Sequence, residues 1–115
     1  TLCELAGMDK PKGIDGVSFA PTLLGQSGKQ EKREYLYWEF HERGGKQAVR
    51  MGKWKGIRLN ARKNKDAPIE LYDLSKDIGE EKNLADKHPD LVRKMAQAMA
   101  DSHTTNPNFP FLPGE

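Results

Sequence analysis

The fold is decided by one segment, residues 35–59, which reads YLYWEFHERGGKQAVRMGKWKGIRL. The first part of this segment alternates between two sets of side chains, as a β-strand does, and places Leu36, Trp38 and Phe40 on one face. Because that set is strongly apolar, we predict that it forms the buried face of the strand. The pair Gly44-Gly45 follows and can supply the positive φ angles that a hairpin turn needs.

Further elements extend outward from this segment. Two more strands are predicted at 47–51 and 54–59, with a tight turn between them, and a fourth at 69–74. A helix of about fourteen residues is expected to begin near Pro89, since proline suits the first helical position. Its apolar side chains fall at helical spacing and form one stripe; they are Leu91, Val92, Met95 and Met99. The predicted fold class is α+β: a four-stranded antiparallel sheet packed on one face by a C-terminal helix.

The regions on either side of the sheet are less regular. Residues 1–9 carry leucines and a methionine at three-residue spacing, which predicts the end of a helix that begins upstream. The next residues favour a loop with one helical turn at 21–24. We therefore divide the chain into a helix end with its connecting loop (1–34), a sheet-plus-helix subdomain (35–103) and an extended tail (104–115). The apolar residues of the tail are expected to pack against another surface; they are Phe109, Phe111 and Leu112.

Composition and charge exclude several classes of function. The chain has 115 residues, of which 36% are hydrophobic and 31% charged, with a net charge of +2. No apolar run reaches the roughly 18 residues that a membrane-spanning helix needs. The low net charge argues against a dedicated nucleic-acid binder, whose affinity comes mainly from phosphate neutralisation. A basic set around Trp54 keeps a nucleic-acid module open as an alternative; it comprises Lys53, Lys55, Arg58, Arg62, Lys63 and Lys65.

The hairpin around Gly44-Gly45 is the candidate binding site. His41, Arg43 and Lys46 surround its turn, and Arg and Lys supply the donors that sulfate, phosphate or carboxylate oxygens accept. An exposed hairpin whose charges only keep it soluble is the competing interpretation.

No catalytic or metal-binding set is evident elsewhere. The acidic residues after the fourth strand lack the alternation of a calcium loop and predict a solvated turn; they are Asp73, Asp77, Glu80 and Glu81. His88 and His103 stand at the two ends of the predicted helix and are expected to cap it. Cys3 is the single cysteine, so it forms no internal disulfide and is interpreted as a buried structural thiol. We assign no catalytic residue and no metal ligand.

Four stretches, taken in order, resemble the C-terminal part of the sulfatase family, the arylsulfatases and their relatives in the alkaline-phosphatase-like superfamily. They are TLCELAG (1–7), GIDGVSF (13–19), AVRMGKWK (48–55) and ELYDL (70–74) followed by Asp77, Glu80 and the run Asn83-Leu84-Ala85. Ile78 departs from the family pattern, which commonly has proline there. The resemblance covers nearly all of residues 1–103.

The resemblance implies a function that belongs to a larger protein. Sulfatases hydrolyse sulfate esters with a formylglycine made from Cys or Ser in a C-x-P-x-R-type motif, beside a calcium ion, and both lie in the large N-terminal domain. Cys3 precedes Glu-Leu-Ala-Gly, so it cannot be the modified cysteine. We therefore expect this chain to be inactive alone and to lack its own calcium. Its expected partner is the N-terminal catalytic domain of the same protein, and the parent enzyme is expected to be periplasmic or secreted.

The resemblance also suggests a role for the hairpin and the tail. His41, Arg43 and Lys46 are expected to contact a sulfated carbohydrate at the substrate rim. The apolar tail and the first helix are expected to be the surface that the absent domain would cover. The alternative is a freestanding module that binds anions or sulfated glycans without any other domain.

Overall fold

A computed structural model describes residues 1–115, in two units, Thr1–Arg33 and Glu34–Glu115. The first unit holds two short helices, α1 (Leu2–Leu5) and α2 (Ala20–Leu23), and a 3-10 turn at Ser27–Lys29. The helix predicted within residues 1–9 is present, but it ends after one turn. Gly7 follows it with a φ of +68°, a left-handed conformation that glycine adopts without strain.

The second unit contains one sheet with the strand order β1-β2-β3-β4, and every neighbouring pair is antiparallel. The strands are β1 (Leu36–Phe40), β2 (Lys46–Met51), β3 (Trp54–Leu59) and β4 (Ile69–Asp73). A single long helix, α3 (Pro89–Ser102), covers one face of the sheet. The predicted α+β class and the antiparallel sheet with a C-terminal helix are therefore confirmed.

The core lies between α3 and the sheet. Met95 and Met99 of the predicted apolar stripe are fully buried, and they pack against Val49, Ile69 and Leu71. The register explains why these side chains meet, because Val49 pairs with Gly56 and Gly56 pairs with Leu71, so their side chains share the face towards α3. None of the three α-helices is long and apolar enough to cross a membrane.

The prediction of a buried face on β1 is wrong. Leu36, Trp38 and Phe40 are 39%, 49% and 49% exposed. The side chains of β1 that turn towards α3 are Tyr37 and Glu39, and Tyr37 stands beside the buried Val49 in the sheet register. Both faces of β1 carry aromatic rings, so hydrophobicity alone favoured the wrong one.

Phe111 of the tail packs against another surface, as expected, but that surface belongs to this chain and not to an absent domain. Phe111 is only 2% exposed and packs within its own unit, against the rings of His41 and His103. Phe109 remains 62% exposed, with its ring centroid 4.3 Å from that of His41. The tail therefore folds back on the sheet-helix unit rather than extending away from it.

Candidate functional site

The face of the sheet that lies opposite α3 is here called the outer face. It combines exposed apolar side chains from β1 and β3 with cations from β2 and β3, and its centre forms an open cavity of about 290 Å³. The residues that define this face are Leu36, Trp38, Phe40, Lys46, Ala48, Arg50, Lys55, Ile57, Leu59, Glu70 and Tyr72. Contiguous exposed apolar surface of this kind marks interaction sites in soluble proteins.

The hairpin between β1 and β2 is fixed in place by the loop that follows β3. Gly44 and Gly45 have φ angles of +88° and +77°, as the predicted turn requires. Their carbonyl oxygens accept hydrogen bonds from the amides of Arg62 and Ala61 at 3.1 and 3.0 Å. A Cβ on Gly44 would stand 2.6 Å from Asn60 Oδ1, so the two loops approach more closely than a side chain would permit.

The structure does not bring the three predicted site residues to one point. Arg43 is exposed beside the turn, with a φ of +52°. Lys46 pairs with Phe40 in the register and lines the cavity of the outer face. His41 instead lies against the tail, with ring centroids 4.3 Å from Phe109 and 4.8 Å from Phe111. A shared contact of the three with substrate stays a prediction.

On the side of the sheet towards α3, a continuous row of polar side chains connects α3 to β3. His103 Nδ1 lies 2.5 Å from Glu39 Oε1, and the Tyr37 hydroxyl donates to the same carboxylate. Gln47 Nε2 donates to the Tyr37 oxygen at 2.8 Å, and Arg58 Nη1 donates to Gln47 Oε1 at 2.9 Å. This row was not predicted from the sequence, although its strand members share one face at paired register positions.

Burial changes the ionisation of this row. Burial, with a further contribution from Glu39, raises the pKa of Tyr37 well above its ordinary value, so the phenol stays a donor. Burial lowers the pKa of Arg58 from its ordinary value. Burial also lowers the pKa of His103, but its hydrogen bonds to Glu39 and Glu115 outweigh that effect and leave the pKa raised. These pKa shifts arise from contacts that stabilise the fold. Tyr37, Arg58 and His103 do not line the cavity of the outer face, so they do not form a reactive pair there.

The acidic residues after β4 are bound to structural partners. Asp73 accepts from Lys53 Nζ at 2.7 Å, and this bond, with those from Ser75, lowers the pKa of Asp73 to about 2. Asp77 accepts from the backbone amides of Glu81 and Lys82 at 3.1 and 2.9 Å. No group of three His, Cys, Asp or Glu side chains in residues 1–115 could hold a metal ion.

The run Asn83-Leu84-Ala85 has a structural role. Asn83 Oδ1 accepts from the amides of Ala85 at 2.9 Å and Leu71 at 3.0 Å, so one side chain caps the next turn and also ties that turn to β4. Cys3 is half-buried rather than buried, because α1 contains no buried residue. His88 occupies the N-cap position of α3 without a side-chain capping bond, and its ring packs on Trp54 at 4.8 Å.

Three comparisons with known proteins agree in pointing to sulfatases. The sequence profile of the N-sulphoglucosamine sulphohydrolase C-terminal family matches residues 1–105. The Delta 4,5-hexuronate-2-O-sulfatase of Bacteroides thetaiotaomicron is 35% identical over 108 residues, which are 91% of this chain and 22% of that protein. Arylsulfatase K of Danio rerio is 30% identical over 101 residues, which are 83% of this chain and 19% of that protein. This chain thus spans about a fifth of the length of these curated relatives.

Solved structures show the same relationship. A crystal structure from Bacteroides thetaiotaomicron that is assigned to the sulfatases has a TM-score of 0.72 and 29% identity, covering 100% of this chain and 29% of that one. A protein solved in complex with its substrate D-glucosamine-2-N,6-O-disulfate has a TM-score of 0.67 at 20% identity, covering 89% of this chain and 22% of that one. The second likeness bears on the fold alone.

Proposed function

Because this chain belongs to the N-sulphoglucosamine sulphohydrolase C-terminal family, we propose that it is the non-catalytic C-terminal domain of an enzyme that hydrolyses sulfate esters of a sulfated carbohydrate. The observation that carries the proposal is the family match over residues 1–105. The curated relatives extend far beyond the matched region, which leaves room for a catalytic domain outside it. A uronate-containing sulfated glycan is the favoured substrate class, by likeness to the hexuronate sulfatase.

The outer face is proposed to dock against that catalytic domain. Trp38 and Phe40 are each 49% exposed, and burying such rings is among the largest apolar contributions at an interface. Lys46 and Arg50 flank them on β2, so a complementary surface would be apolar with carboxylates at its edge. The occupant to which we commit is the part of the same protein that supplies the sulfatase chemistry, not a second copy of this chain.

The hairpin is proposed to reach the edge of the substrate site from this docked position. Its turn is held by the backbone bonds of Gly44 and Gly45 to the loop after β3, so Arg43 and Lys46 are carried on a fixed platform. Pre-placed guanidinium and ammonium groups bind sulfate or carboxylate oxygens with little loss of conformational entropy. His41 is proposed to join them once the tail is displaced from it.

Calcium and localisation are proposed by family likeness. The enzyme's calcium is proposed to lie in the catalytic domain, because the carboxylates after β4 are engaged by Lys53, Lys55 and backbone amides.

The parent enzyme is proposed to be periplasmic or secreted, where extracellular sulfated glycans are accessible to it.

The rim role is tested by substitution in the full-length enzyme. Arg43→Ala, Lys46→Ala and His41→Ala are assayed for kcat/KM on a sulfated uronate disaccharide, with the exposed Lys87→Ala as a matched control. Losing one charge-assisted hydrogen bond to the substrate predicts a roughly tenfold or greater fall. Unchanged kcat/KM in all three variants would make the hairpin structural. Tight disaccharide binding by the isolated chain would instead favour the freestanding glycan-binding module.

A further inference from the structure

The tail, residues 104–115, is closed into a loop by the side chain of its last residue. Glu115 Oε2 accepts from the amides of Phe111 at 2.8 Å and Leu112 at 3.1 Å. Glu115 Oε1 also lies 3.5 Å from the Thr105 hydroxyl at the other end of the loop. The closed form of the tail therefore depends on the position of the Glu115 side chain.

One polar contact joins this loop to the rest of the chain. His103 Nε2 bonds to Glu115, and His103 Nδ1 lies 2.5 Å from Glu39 on β1. All three side chains are largely removed from solvent, at 10% exposure for His103, 20% for Glu39 and 11% for Glu115. Such partly buried ion pairs are screened much less than surface pairs, so this bridge holds the tail more firmly than an exposed contact would.

The bridge requires a charged histidine. A neutral imidazole has one N–H donor, whereas both ring nitrogens of His103 face carboxylates, so only the imidazolium satisfies both. The other titratable groups around it are two phenols and one imidazole. Tyr37 donates to Glu39, Tyr35 accepts from Ser102 at 3.2 Å, and His41 packs on the same Phe111 ring as His103. No Lys or Arg side chain forms an ion pair with either carboxylate, so nothing replaces the positive charge when His103 loses its proton.

The tail covers His41 at an energetic cost. His41 Nε2 is buried and has no hydrogen-bond partner, because the rings of Phe109 and Phe111 lie against the imidazole. A buried polar atom without a partner favours any conformation that returns it to water. The covered state is therefore opposed by the desolvation of His41 and supported by the apolar burial of Phe111 and by the His103 bridge.

We propose that residues 104–115 form a removable cover over His41, latched by the ion pairs of His103 with Glu39 and Glu115 and released when His103 is deprotonated. The pKa of His103 is raised in the closed form, so the latch is fully formed below the ordinary histidine value and is lost as pH rises through the raised pKa. Release hydrates His41 and exposes it beside the β1–β2 hairpin. The latch is formed only by residues of this chain, so this proposal does not depend on the proposed sulfatase function.

The test is amide hydrogen exchange on the intact chain from about pH 5 to about pH 9. Protection factors of the Phe111 and Leu112 amides should fall about tenfold or more above the His103 pKa, while that of the core Leu71 amide stays constant. The Phe111–His41 ring contact, followed by nuclear Overhauser effects, should weaken over the same range. Constant protection of Phe111 across the His103 titration would overturn the latch.

Two variants make the test specific. Glu115→Gln removes one charge from the bridge and should lower the protection of the Leu112 amide at low pH, leaving Leu71 protected. Glu81→Gln changes an exposed carboxylate that makes no side-chain ion pair and should behave as the unmodified chain. Equal tail protection in both variants at low pH would show that Glu115 does not latch the cover.

Discussion

Gly56 lies directly against Met95, since a Cβ on residue 56 would stand 2.5 Å from the Met95 sulfur and 3.2 Å from the Ile69 Cγ2. The absence of a side chain at this position of β3 lets α3 approach the sheet. Met95 then fills the space above the backbone, and it is fully buried there. The position of the helix, and with it the whole core, depends on this one close approach.

Gly56→Ala should therefore destabilise the chain. The added methyl group must displace Met95 or Ile69, and overpacking of this kind costs about 1–3 kcal/mol. Urea-induced unfolding measures the change in the free energy of unfolding. Gly28→Ala is the matched control, because a Cβ there meets nothing within 4 Å, and it should change that free energy by less than about 0.5 kcal/mol.

The sequence predicted the helix and the strand pairing because their signals are local. Pro89 begins α3, and the spacing of Met95 and Met99 identifies its buried stripe. The glycine pair of the first hairpin was also identifiable, since its φ angles are ones that other residues rarely adopt. The orientation of β1 was not predictable in this way, because the choice between its two aromatic faces depends on what packs against them.

Gln47→Leu should destabilise the second unit through the polar row under α3. Gln47 is 1% exposed and connects the Tyr37 hydroxyl with the Arg58 guanidinium. Leucine would leave both groups without that partner, which costs about 1–3 kcal/mol. Chemical denaturation tests this, with Gln97→Leu on the exposed side of α3 as the control. A loss of stability equal to that of Gln97→Leu would show that the row is not stabilising.

Asp73 should make stability depend on pH in the acid range. Its bonds with Lys53 and Ser75 lower its pKa from 3.8 to about 2, so its contribution is complete above the higher value and is lost as pH falls towards the lower one. Asp73→Asn should therefore be less stable than the unmodified chain at pH 5 and approach it in stability near pH 2. Urea denaturation at several pH values measures this. The exposed Asp86→Asn variant is the matched control. A difference between Asp73→Asn and the unmodified chain that does not change with pH would contradict this prediction.

Trp38 provides the test of the docking surface. In the isolated chain Trp38→Thr should change stability little, because the ring is 49% exposed and threonine suits a strand. In the full-length enzyme the same change should lower the melting temperature and the activity, because the ring would be buried against the catalytic domain. Ile78→Thr, at 83% exposure outside the outer face, should affect neither form. Equal melting temperatures for the two full-length variants would place the interface elsewhere.

The contacts of the candidate site were harder to predict from the sequence than the fold was. The charges of the first hairpin are adjacent in sequence, but the register places Lys46 opposite Phe40 on the outer face, whereas His41 packs against Phe109 and Phe111 of the tail. His103 bridges Glu39 and Glu115, which are 76 positions apart in the sequence. No local sequence pattern predicts a contact over that distance. Polar contacts between residues distant in sequence are identified only from the folded structure.

Release of inorganic sulfate from a sulfated uronate disaccharide distinguishes a non-catalytic C-terminal domain from a catalytic one. Ion chromatography would compare the full-length protein with the isolated chain of residues 1–115 at equal molar concentration. We predict sulfate release by the full-length protein and none above background by the isolated chain. Sulfate release by the isolated chain, or none by the full-length protein on any sulfated glycan tested, would contradict this prediction.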